Sequence, residues 1–290
     1  MGFAVASALL GAAFLAVLAR PLSVFDAFVR LRLWLAGVRS RCERTAGIDL
    51  HWLERAGSAP PVLLLHGLGA DPERFFPILP GLLPGRRLLA PSLPAHGRSG
   101  APAEPFGVEE VGAWLDAWLS RRVGSEQLDL IGFSLGGWVA LQLVLLRPQR
   151  VRRLVLVSSA GVRFEPPPRQ WLAPRGVDDV GALIEALTAR RLRLPRFVLR
   201  DLMRRARPQR RFLVDSLFRG EGLLDGRLGE IQAPTLVLWG REDRIVPPEV
   251  GRRLASAIPG ARSQEFAGCG HLPYWERRAE FVAAVEGFLG

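Results

Sequence analysis

Short apolar runs with no polar alternation recur along this chain of 290 residues. A strand buried on both faces reads as a continuous hydrophobic run, whereas a half-solvated strand alternates. Pro61–Gly69 (PVLLLHGLG), the start of Arg86–Gly100 (RRLLAPSLPAHGRSG), the run from Leu128, Val151–Gly161 (VRRLVLVSSAG) and Thr235–Gly240 (TLVLWG) all read as buried strands. Gly47–Arg55 alternates enough for an early strand, and Ser263–Phe266 fits a short last one. Helical patterns run over Val108–Leu119, Leu135–Leu146 and Ala279–Leu289. Strands alternating with helices predict an α/β fold built on a doubly wound, mostly parallel sheet.

Arg163–Glu230 breaks the alternation. It opens on Pro166-Pro167-Pro168 and then carries helical patterning with no strand. Inserted between two strands, it would overhang the strand ends as a helical cap or lid. The chain therefore divides into an N-terminal anchor and amphipathic helix (1–45), a first core segment (46–162), the cap (163–230) and a second core segment (231–290).

Gly2–Ala19 carries no charge, and as a helix its 18 residues would span about 27 Å, enough for a bilayer core. An N-terminal apolar helix anchoring the protein through residues 2–19 is the expectation. A cleaved signal peptide is the rival, but no basic residue precedes the run. Arg20, Arg30, Arg32, Arg39, Arg41 and Arg44 follow it. By the positive-inside tendency, that flank and the domain after it would lie on the cytoplasmic side, making the protein membrane-associated. Ser23–Val38 sets Phe25, Phe28, Leu31 and Leu35 beside Arg30 and Arg32. That pattern fits a helix on a membrane surface and equally a helix packed on the domain.

Composition adds little. The net charge is +11, and all 39 basic residues are arginine. The surplus attracts anionic surfaces, but no zinc-ligand spacing, RNP-type motif or basic-aromatic repeat accompanies it, so no nucleic-acid partner is expected. Cys42 and Cys269 give no disulfide framework. No cofactor or metal is expected either.

The candidate chemistry sits at Gly132-Phe133-Ser134-Leu135-Gly136, where a strand meets a helix. A serine on that sharp turn projects its hydroxyl from the sheet edge, with the positive end of the helix behind it. Serine needs an adjacent base to become nucleophilic. In the fold whose nucleophile turn this stretch resembles, the acid and then the base follow in the chain. His51, His66 and His96 precede Ser134, leaving His271, in GCGHLPYWE. Asp243, in WGREDRIVP directly after TLVLWG, is the candidate acid, with Glu242 as the fallback. Leu135 and Leu68, the latter in the glycine-rich loop after PVLLL, would supply backbone N–H groups for an oxyanion. His66 reads as a loop-shaping hydrogen bonder and His96 as structural.

HGLG, PAHGRSG, GFSLGG, GREDRIVP and GCGHLPYWE, in that order, resemble the α/β-hydrolase superfamily over nearly all the chain beyond about residue 46. The resemblance is greatest to its esterase and lipase branch, including membrane-anchored monoacylglycerol lipases. It departs at Ser92-Leu93-Pro94-Ala95, where the family usually shows an aspartate and a glycine at the outer positions. Relatives such as dehalogenases and epoxide hydrolases use an aspartate nucleophile, which Ser134 excludes. The resemblance implies an α/β-hydrolase fold and a Ser134–Asp243–His271 triad cleaving a lipid-like ester, of the monoacylglycerol or lysophospholipid type, through an acyl-enzyme. The alternatives are a carbon–carbon bond hydrolase of ring-cleavage products, a cofactor-free haloperoxidase, and a non-catalytic binding module.

Overall fold

The computed structural model describes residues 20–45, 47–205 and 210–290. The expected anchor at residues 2–19 lies outside them. Among the described residues no helix is long and apolar enough to cross a membrane.

Eight strands are described: β1 (Val38–Thr45), β2 (Ile48–Arg55), β3 (Ser58–Leu65), β4 (Arg86–Pro91), β5 (Leu128–Phe133), β6 (Val151–Val157), β7 (Thr235–Gly240) and β8 (Arg262–Phe266). They form a sheet in the order β1-β2-β4-β3-β5-β6-β7-β8. β1 and β2 run antiparallel to their neighbours, and from β4 to β8 every pair is parallel. The apolar runs are explained by this arrangement, since both faces are covered. Along β3, Leu63 and Leu65 enter one apolar layer while Val62 and Leu64 enter the other.

The helices follow from the same two layers. Helices α2 (Val108–Arg122) and α3 (Leu135–Leu146) pack on one face through Leu115, Trp118, Trp138 and Leu141. Helix α1 (Pro21–Leu35) packs on the other through Val29 and Leu33. Of the two expectations for that segment, packing on the domain is what the structure shows. Its Phe28, Leu31 and Leu35 stay exposed.

The sequence expectation placed residues 1–45 outside the core, but β1 belongs to the sheet. Its buried and exposed positions show why it was missed, because only its two ends are buried and the middle is polar.

Between β6 and β7 the chain forms α4 (Arg169–Leu172), α5 (Val177–Leu187), α6 (Arg196–Arg204) and α7 (Arg211–Arg219). The α6 carboxylate of Asp201 accepts the Leu22 N–H of α1 at 3.0 Å. Two further helices, α8 (Pro248–Ala257) and α9 (Pro273–Glu276), precede the closing α10 (Arg278–Leu289). At the sheet end opposite the site, the fully buried Asp129 of β5 accepts from Arg86 at 2.7 Å and Arg152 at 2.9 Å. Both guanidinium groups also donate to the Leu289 carbonyl, which fastens α10 to the sheet.

Candidate active site

Ser134 sits between β5 and α3 with φ 52° and ψ −116°. A non-glycine residue in such a sparsely populated region costs about 1–3 kcal/mol and persists only where its surroundings enforce it. Here they do. The Ser134 N–H donates to the Val157 carbonyl of β6 at 2.9 Å, and its own carbonyl accepts from Gly137, Trp138 and Ala160. The flanking glycines permit the turn. A Cβ on Gly132 would lie 2.5 Å from the Gly136 carbonyl oxygen, and one on Gly136 would lie 2.3 Å from that of Leu65.

Asp243 and His271 follow the C-terminal ends of β7 and β8, the same sheet edge that β5 ends on. His271 Nδ1 lies 2.8 Å from Asp243 Oδ2, and both residues are buried. The other carboxylate oxygen accepts from the backbone N–H groups of Ile245 (2.9 Å) and Val246 (3.0 Å). A carboxylate so held accepts from Nδ1–H, leaving the Nε2 lone pair as the ring's basic position. Glu242, the fallback acid, points elsewhere and accepts the Cys269 N–H at 2.8 Å. Among the described residues Ser134 Oγ makes no hydrogen bond to His271; such contacts often tighten only when substrate is bound.

The loop after β3 passes close to the serine. A Cβ on Gly67 would lie 3.2 Å from Ser134 Cβ. Leu68 and Leu135 line the same pocket as Ser134. Leu135 opens α3, where backbone N–H groups have no intrahelical acceptor. The loop is shaped by His66, whose Nδ1–H donates to the Gly67 carbonyl (2.9 Å) while Nε2 accepts the Leu93 N–H (2.9 Å). Complete burial lowers the His66 pKa to about 4 and keeps the ring neutral. The His96 ring lies tilted against it, with centroids 5.1 Å apart.

Sequence reasoning missed what holds the His271 loop. Three consecutive N–H groups are each fixed at 2.8 Å: Cys269 by Glu242, Gly270 by Glu276, and His271 by the Leu187 carbonyl. The second Glu276 oxygen accepts the Ala189 N–H (2.8 Å), and Arg244 donates to the carbonyls of Glu185 and Thr188. The end of α5 is thereby tied to the loops of both Asp243 and His271. No sequence pattern marks Glu276, five residues after the histidine, for this contact.

The pocket at Ser134 is lined by Leu68, Trp138, Phe164, Leu213, Leu217 and Ile245, among other apolar residues; Ser134 is the polar one.

A family model described as "Alpha/beta hydrolase family" matches residues 62–285. Among curated proteins, the chain is 31% identical to 2-hydroxymuconate semialdehyde hydrolase of Pseudomonas sp. (strain CF600), covering 84% of this chain and 91% of that protein. It is 30% identical to 2-hydroxy-6-oxononadienedioate/2-hydroxy-6-oxononatrienedioate hydrolase of Cupriavidus pinatubonensis (strain JMP 134 / LMG 1197), over 83% of this chain and 90% of that one. Among solved structures it resembles a membrane phospholipase A described as a novel bacterial virulence factor, at TM-score 0.81 and 26% identity. That match covers 99% of this chain and 97% of the other. The curated relatives stand nearer the carbon–carbon alternative than the ester expectation. They also overturn the expected localisation of a membrane-associated enzyme facing the cytoplasm. The match to these hydrolases runs over most of the chain, and no described helix can span a bilayer.

Proposed function

Because the chain belongs to the alpha/beta hydrolase family, we propose that this hydrolase cleaves carboxylic esters with an apolar acyl group through an acyl-enzyme on Ser134. His271 Nε2 takes the serine proton as Oγ bonds to the carbonyl carbon, then passes it to the departing alkoxide. Asp243 holds the ring in the required tautomer and stabilises its charged form. The Leu68 and Leu135 N–H groups receive the oxyanion. Water, deprotonated by the same imidazole, then releases the acid. The observation that carries this reading is the pocket lining, in which, among the described residues, Ser134 is the polar one and no cation appears. Esters of the monoacylglycerol or lysophospholipid type present an apolar acyl group whose carbonyl end such walls accept.

A second reading, hydrolysis of a carbon–carbon bond in a ring-cleavage product, has the curated relatives in its favour. It also has Arg210, whose Nη1 would lie 3.6 Å from a Cβ on Gly69, beside the oxyanion loop. A dienoate substrate needs a cation for its carboxylate. Arg210 is engaged by the carbonyls of Ala95 and Arg205 and is not among the pocket's lining residues.

The two readings separate on one substrate panel. Purified protein is expected to turn over p-nitrophenyl butyrate with kcat/KM at least about 100-fold above that for a 2-hydroxy-6-oxo-dienoate, a gap of roughly 3 kcal/mol in transition-state binding. The reverse order would overturn the ester reading in favour of the carbon–carbon one.

A further inference from the structure

The pocket beside Ser134 has a volume of only about 40 Å³. Pockets that enclose a whole small ligand measure roughly 300–1,000 Å³. It holds a few water-sized groups, so it can take the reacting carbonyl and a short acyl stub but no long chain. A second cavity, of about 310 Å³, lies next to it. Phe164 and Leu217 line both cavities. They are the residues shared by a space that contains the nucleophile and a larger one that does not.

We propose that the outer cavity is the subsite for the distal part of a long acyl chain, and that Phe164 and Leu217 determine how long a chain the enzyme accepts. The inference rests on the ester reading above and assigns the chain its place. Val162, Leu223 and Phe218 give the outer cavity apolar walls. Arg163 and Glu165 also line it and are exposed, so the cavity opens to water and has polar as well as apolar walls. The backbone at Arg163 is fixed, with its N–H on the Asp225 carboxylate and its carbonyl receiving Arg253. Phe164 and Leu217 are held differently. Both are half-buried, and packing alone retains an apolar side chain, so rotation about χ1 can move them aside without breaking a hydrogen bond. Leu217 lies in the last turn of α7, which ends at Gly220 in a left-handed conformation. Each methylene moved from water into the outer cavity would tighten binding by up to about fourfold.

The test compares kcat/KM for p-nitrophenyl butyrate (C4) and p-nitrophenyl laurate (C12) across four proteins. Phe164→Ala and Leu217→Ala cut back these shared walls and are expected to raise the C12:C4 ratio about tenfold. Leu223→Trp fills the outer cavity from a residue that does not line the Ser134 pocket, and is expected to lower the ratio by about as much. A ratio within twofold of the parent's in all three variants would overturn the subsite. A parent that hydrolyses neither ester refutes the ester reading instead. The cavity is then read by calorimetry on Ser134→Ala, with laurate and butyrate as probes. Tighter binding of laurate, abolished by adding Leu223→Trp, supports the subsite; equal binding of the two acids overturns it.

Discussion

The side chains around Ser134 divide into those legible from sequence and those that only folding brings together. The placing of Ser134, Asp243, His271, Leu68 and Leu135 together was legible because each comes within five residues of the C-terminal end of a strand, and a parallel sheet delivers all such positions to one edge. The contact between His271 and Asp243 was implied by chain order alone, and the structure supplies its 2.8 Å. His66 was legible as a hydrogen bonder, but its electrostatic state was not, because burial is a property of the fold. Its pKa of about 4 has a consequence for stability. The unfolded chain binds a proton at this imidazole below about pH 6.5, whereas the folded chain does so only near 4. Its neutral, hydrogen-bonded form therefore contributes fully above pH 6.5, and that contribution is lost as the pH falls towards 4. His51, likewise lowered to about 4 by burial and by Arg98, acts in the same direction. Melting temperature should fall across that window. His66→Gln should melt lower than the parent at pH 7 yet show a shallower acid decline. A decline as steep as the parent's would place the acid sensitivity elsewhere.

Among the elements, the parallel strands were read from hydrophobicity because burial on both faces leaves no polar positions. β1 escaped because a sheet-edge strand with a solvated middle has no such run. The tie between the end of α5 and the His271 loop escaped for another reason. It consists of backbone groups and two carboxylates, Glu242 and Glu276, whose spacing in sequence carries no periodic signal. Glu276 spans the joint, with one oxygen on Gly270 and the other on Ala189. Its loss loosens the imidazole's loop without touching the pocket beside Ser134, and misplacement on the ångström scale is costly in rate. Glu276→Ala is therefore expected to lower kcat on p-nitrophenyl butyrate about tenfold with KM within about twofold. Glu276→Asp should recover part of the loss. An unchanged kcat, or a change confined to KM, would show that this contact does not position His271.

At the scale of the whole molecule, one sheet edge collects the proposed nucleophile, base, acid and oxyanion donors while the helices between β6 and β7 lean on the same loops. That much of the architecture follows from the order of runs and motifs along the chain. The membrane expectation went wrong because it rested on hydropathy in residues 2–19, and hydropathy reports only that a segment is apolar. The relatives point the other way. Substrate class was not legible either. It depends on the cavities beneath the helical insertion, whose walls come from residues far apart in sequence such as Leu68, Phe164 and Leu217. The claim beneath all of this is that Ser134 is the nucleophile. It is tested most directly by treating the folded protein with a fluorophosphonate and mapping the modified residue by mass spectrometry. The account predicts one covalent adduct, on Ser134, absent from a folded Ser134→Ala variant that has also lost ester turnover by at least about 1,000-fold. An adduct on another residue, or undiminished turnover in that variant, would contradict it.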